Sequence, residues 1–175
     1  MFSKRVYEEF KELQSEPIGN CGITIGLVNE DSFNDWKVTM TAPKDSWYKD
    51  GLFFLNVHFP DKYPNEPPVV YFITPIYHLN VNPRVPRNDG DEPLGHICIS
   101  TLNWWKPEYK IKEVLLNIYL LFYCFNSDSG YGIDRIKEYN QSREVFHEKA
   151  RYFTKKYAMT FSNYYDRDKD WDFNI

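Results

Sequence analysis

The chain has 175 residues, 42% of them hydrophobic and 18% aromatic, which is enough apolar material for one folded domain and too much for a disordered one. A net charge of −4 and a pI near 5.6 give no electrostatic footprint for nucleic acid. No apolar run approaches the ~18 residues of a membrane span, and the start MFSKRVYEEFKEL lacks an apolar signal core, so an intracellular, cytoplasmic or nuclear protein is expected. The three cysteines, Cys21, Cys98 and Cys124, are widely spaced without a CxxC pair. Reduced thiols are therefore expected, with neither a disulfide framework nor a metal site.

Ser3 is positioned to cap a first helix running to about Gln14, with Val6, Phe10 and Leu13 as its apolar stripe. Lys4, Arg5, Glu8, Glu9 and Lys11 fall largely off that stripe and read as a solvated face or a docking face. Runs at 23–28, 36–41 and 52–59 are rich in β-branched and aromatic residues and are separated by short turns, which predicts an antiparallel meander. A fourth run covers 69–73. Before it, residues 60–68 hold four prolines and predict a stiff, extended loop.

Helical patterns return after Cys98. Val114, Leu115, Ile118, Leu121 and Phe122 mark a helix over about 112–123 ending near Cys124, which is expected to be core. Further helices are predicted at 133–139 and from Ser142 to about Ala158, the latter burying Phe146, Tyr152, Phe153 and Tyr157. Trp104 and Trp105 read as packing residues. The order helix, four strands, helices is an α+β layout, with a core at 1–159 and a charged, aromatic tail at 160–175.

Cys98 has a different setting from the other two thiols. It follows a loop rich in Pro, Gly, Asp and Asn and precedes the turn-like Ser100-Thr101-Leu102-Asn103, so it is expected to be accessible, as a nucleophile must be. His96 lies two residues earlier and on an extended segment would share its side, which allows a Cys–His hydrolase dyad. His78 reads as a structural imidazole shaping a turn.

The motifs KRVYEEFKEL, SWYKDGLFFLNVHFPDKYPNEPPVVYFITPIYHLN, GHICIS, WWKPEYKIKEVLLNI and KYAM occur in an order that resembles the ubiquitin-conjugating enzymes over nearly the whole chain. The resemblance implies the fold of that family and a transthiolation enzyme. Cys98 would accept ubiquitin from an activating enzyme (E1), which uses the ATP, and would pass it to a substrate lysine or a ligase (E3). No cofactor or metal, no nucleic acid and no membrane is implied, and a monomer is expected. A ubiquitin-like cargo, or an inactive scaffold that binds ubiquitin or a ligase, are the alternatives.

By the same resemblance, Asn80 serves the oxyanion or supports a loop, and Asp128 and Ser129 fall at the family's acidic gate, where a carboxylate would orient the incoming lysine. The triplet His78-Leu79-Asn80 carries Leu79 where the family usually has proline, so its turn must be held by its surroundings. Ser100 stands where many members have an acid, and residues 83–94 look inserted. That insertion is expected to overhang the cysteine and restrict acceptors. The E1- and E3-facing surface would comprise Lys4, Arg5 and Glu8, then Pro64 and Asn65, then Lys106, Pro107 and Glu108.

Overall fold

The computed structural model describes residues 3–19, 21–126, 130–159 and 168–174. Elements run α1 (Lys4–Ser15), β1 (Ile23–Asn29), β2 (Ser32–Thr41), β3 (Leu52–His58), β4 (Val69–Phe72), α2 (Ser100–Asn103), α3 (Ile111–Leu120), α4 (Ile133–Gln141) and α5 (Arg143–Tyr157). The fold is α+β, as the order of patterns predicts. Its four strands form one antiparallel sheet in the order β1-β2-β3-β4.

Alternation decides which sheet face is buried. Trp36, Val38 and Met40 on β2 pair with Val57, Leu55 and Phe53 on β3, and Leu55 and Val57 pair onward with Phe72 and Val70 on β4. All eight are at most 1% exposed, so one face is dry throughout. Burial at this level contributes about 1.5–3 kcal/mol per large side chain. Val6 and Leu13 of α1, Ile111, Val114, Leu115 and Ile118 of α3, and Phe146, Ala150 and Phe153 of α5 complete the core.

Several local expectations are corrected. Ser3 occupies the N-cap position, but its side chain makes no cap bond; only its carbonyl accepts from Tyr7 N. Strand β2 begins at Ser32 rather than residue 36, because pairing of Ser32 with Asn29 and of Asp35 with His58 draws polar residues into the ladder. The proline-rich segment is folded rather than extended. Tyr63 N donates to Pro60 O and Asn65 N to Lys62 O, which turns the Tyr63 ring inward. Helix α3 stops at Leu120, where successive three-residue hydrogen bonds tighten the chain through Tyr123. That loss of helical phase leaves Cys124 exposed instead of core. On α5, Tyr152 is half exposed, and Ala150 and Thr154 take its expected place inside.

Candidate active site

The His78-Leu79-Asn80 triplet is wholly buried, at 0% exposure for each residue. Asn80 N donates to His78 Nδ1 at 2.9 Å, so that nitrogen carries no proton and Nε2 donates to Leu121 O at 2.9 Å. Burial holds this imidazole neutral, with its pKa pushed down to about 4. The Leu79 side chain lies in the core, and its carbonyl accepts from Tyr131 N.

The partly buried Arg135 guanidinium closes the other side of the triplet. It donates to His78 O at 3.0 Å and to Tyr131 O at 3.1 Å, and it lies over the Tyr77 ring. Desolvation lowers its pKa to about 10, so the cation persists at neutral pH. Backbone and side-chain partners thus hold a turn that has no proline to restrain it.

The triplet sets the position of the cysteine. Cys98 N donates to Asn80 O at 2.8 Å, and Val81 bridges Ile97 in antiparallel fashion. The Asn80 side chain embraces Asn126, with Nδ2 donating to Asn126 O at 2.8 Å and Oδ1 accepting from Asn126 N at 3.0 Å. Asn126 in turn lines the cleft of about 170 Å³ at the thiol, together with Cys98, Ile99, Ser100, Thr101, Asn117 and Leu121. Cys98 is partly exposed, and Asn103 Nδ2 donates to its Sγ at 3.4 Å.

His96 does not form the dyad. Its Nδ1 meets the Tyr131 hydroxyl at 2.6 Å and its Nε2 lies 3.2 Å from Glu92, so both nitrogens are engaged elsewhere than at sulfur. Asp128 and Ser129 lie outside the described residues. The 83–94 loop, expected to overhang the thiol, contributes none of the residues lining the cleft. It is tied instead to the C-terminal segment. Trp171 N donates to Pro83 O, and Asp170 accepts from Val85 N and pairs with Arg87, each at 2.8 Å.

A wider groove, about 590 Å³, shares Ser100, Thr101 and Asn117 with the thiol cleft and continues along Trp104, Tyr109, Glu113, Leu116 and Leu120. Trp104 is 78% exposed and Leu120 53% exposed, so Trp104 is not the packing residue it was expected to be. Trp105 does pack, with its indole N–H donating to Pro64 O at 2.7 Å.

The residues expected to face partners lie on three segments that meet at Glu9 and Tyr109. Lys4 and Glu8 are exposed and paired on α1, Arg5 donates to Tyr109 O at 2.9 Å, Pro64 is partly buried, and Asn65, Lys106, Pro107 and Glu108 are exposed. The residue that joins these segments is Glu9, placed off the apolar stripe in the sequence but only 3% exposed. Its carboxylate accepts from Arg5 Nε at 2.5 Å, Tyr63 OH at 2.9 Å and Ile111 N at 2.7 Å. Its signal was spacing: it lies three residues after Val6 and four before Leu13, on the buried face.

Among the described residues, no group of three or more His, Cys, Asp or Glu is placed to hold a metal ion. Residues 5–154 match the family model described as ubiquitin-conjugating enzyme, which covers most of the chain. This chain belongs to the ubiquitin-conjugating enzyme family.

Proposed function

We propose that the chain is an active E2 that carries ubiquitin as a thioester on Cys98 and delivers it to a lysine or to an E3 ligase. The observation that carries this reading is the setting of the thiol. Cys98 is partly exposed in a cleft, its backbone is fixed to a buried turn, and its recorded side-chain hydrogen-bond partner is the neutral amide of Asn103. A hydrolase needs a base at the sulfur, and His96 is turned away to Tyr131 and Glu92. A carrier gains from that arrangement, because its thioester must outlast contact with water.

Loading is a thiol exchange. The Cys98 thiolate attacks the thioester carbonyl on the E1, and the E1 cysteine leaves as thiolate. Discharge forms a C–N bond and returns the C–S electron pair to Cys98. The acyl group is already activated, so the protein's main tasks are placement and charge stabilisation. Asn80 acts here as a positioning residue that fixes Asn126 at the cleft wall. The groove of Trp104, Leu116 and Leu120 is the apolar surface on which the tethered protein rests. The α1, proline-loop and post-cysteine segments joined by Glu9 form the E1 and E3 surface.

The test is intact-mass measurement after incubation with E1, ATP and ubiquitin. The expected result is one added ubiquitin that is released by a thiol reductant. Addition that survives reductant in the wild type would contradict the reading.

A further inference from the structure

On the carrier reading, we propose that Asn103 is a catalytic residue whose side-chain amide stabilises the Cys98 thiolate as it leaves the thioester. Its Nδ2 donates to Cys98 Sγ at 3.4 Å, and Sγ is the atom that takes the electron pair when ubiquitin departs.

The local fold aims this amide at the sulfur. Leu102 N and Asn103 N both donate to Ile99 O, at 3.1 and 3.0 Å, and Trp104 N donates to Ser100 O at 2.8 Å. One helical turn therefore brings residue 103 back over residue 99. Side chains on a helix tilt toward its N-terminus, so the Asn103 amide runs back to residue 98. The turn is anchored beneath. Leu102 is only 9% exposed, and Thr101 Oγ1 accepts from Asn117 Nδ2 of α3 at 2.6 Å. Asn103 is not among the residues lining the thiol cleft, so it reaches sulfur from outside and leaves the cleft to the acyl group and the acceptor.

The neighbouring amides are committed elsewhere. Asn80 is wholly buried with its side chain bonded to the Asn126 backbone, and the Cys98 N–H donates to Asn80 O. Among the described residues, the side-chain donor at Sγ is Asn103.

Charge decides when that bond counts. A thioester sulfur is a weak acceptor, whereas a thiolate is an anion, and a hydrogen bond to an ionised group is roughly twice as strong as a neutral one. The amide therefore gains strength as the C–S bond breaks, which is the condition for accelerating that step. In the reaction a free amine attacks the thioester carbonyl and the C–N bond forms. The C–S bond breaks with its electron pair on sulfur, and the proton shed by nitrogen goes to solvent. Asn103 exchanges no proton, so it assists departure without placing a base at the thioester. Its side chain is exposed and precedes Trp104 of the wide groove, so a protein resting there would displace the water that competes for sulfur.

The experiment loads the full chain with ubiquitin, exhausts the ATP, and follows loss of the loaded fraction to hydroxylamine and to free lysine at neutral pH. Hydroxylamine is uncharged there and weakly basic, so its adduct sheds it easily and expulsion of sulfur limits the rate. Asn103→Ala is expected to slow hydroxylamine discharge about 10-fold, less than loss of a fully buried donor would, and to slow lysine discharge by no more. Asn103→Asp keeps the shape but sets a carboxylate against the leaving thiolate, so it should be slower still than Asn103→Ala. The side chain is exposed, so both variants should melt with the wild type. Hydroxylamine discharge from Asn103→Ala at the wild-type rate, or from Asn103→Asp at a rate no lower than from Asn103→Ala, would overturn the inference. Failure of the wild type to load, read before any nucleophile is added, would overturn the carrier reading itself.

Discussion

The triplet 78–80 and the loop 83–94 are near neighbours in sequence, yet they are held in opposite ways. The triplet is dry, and its polar atoms are bonded to β4–α2 backbone, to the turn after α3 and to Arg135. The loop is largely exposed. Its ties are Asn82 to the Arg84, Glu92 and Pro93 carbonyls, Asp91 to the Arg87 and Asn88 amides, and Asp170 from the C-terminal segment. The lesson is a division of labour. Buried hydrogen bonds, each costly to leave unmade, fix the thiol's backbone. Surface contacts of small net worth hold the loop, whose side-chain contact with the thiol-bearing segment is Glu92–His96.

That contrast breaks most readily at His78. Its folded pKa of about 4 lies below the ordinary value of 6.5, so the unfolded chain takes up the proton first as pH falls. The stabilisation is complete above about pH 6.5 and is lost as pH falls toward 4, amounting to roughly 3 kcal/mol. Urea unfolding at pH 7 and pH 4.5 should show a steeper loss for the wild type than for His78→Asn. Equal losses would mean that the triplet is not the dry element described here.

Asn80→Ala removes both bonds to Asn126, and a cost of about 2 kcal/mol is expected, together with slower discharge of a loaded thioester. Leu120→Asp leaves the core untouched because the side chain is half exposed. It should slow discharge about 10-fold, which corresponds to about 1.4 kcal/mol of lost apolar contact with the tethered protein. Discharge at the wild-type rate would remove the groove from the account. The smallest effect is expected at Asp170→Ala. The Arg87 pair is exposed and worth about 0.5 kcal/mol, so the melting temperature should barely move while limited proteolysis within 84–92 accelerates.

The sheet was legible because a period of two is read directly in Trp36, Val38, Met40 and their partners. What escaped the sequence reading depended on tertiary partners. Glu9 looks solvated until Tyr63 and Ile111 arrive to satisfy its carboxylate. Cys124 looks apolar and helical until α3 ends early, with Leu121 O accepting from His78. Trp104 is exposed beside its buried-face neighbour Trp105, a distinction that two adjacent identical residues cannot announce. Cys98 stood out by its surroundings, whereas the partners of His96 come from a loop and from a residue 35 positions away.

The measurement that tests the central claim most directly is charging with E1, ATP and ubiquitin on a non-reducing gel, with wild type beside Cys98→Ala and Cys98→Ser. The account predicts a reductant-sensitive adduct in the wild type, none in Cys98→Ala, and a reductant-stable ester in Cys98→Ser. An adduct that persists in Cys98→Ala, or no adduct in the wild type with ubiquitin or with any ubiquitin-like protein and its own activating enzyme, would contradict it.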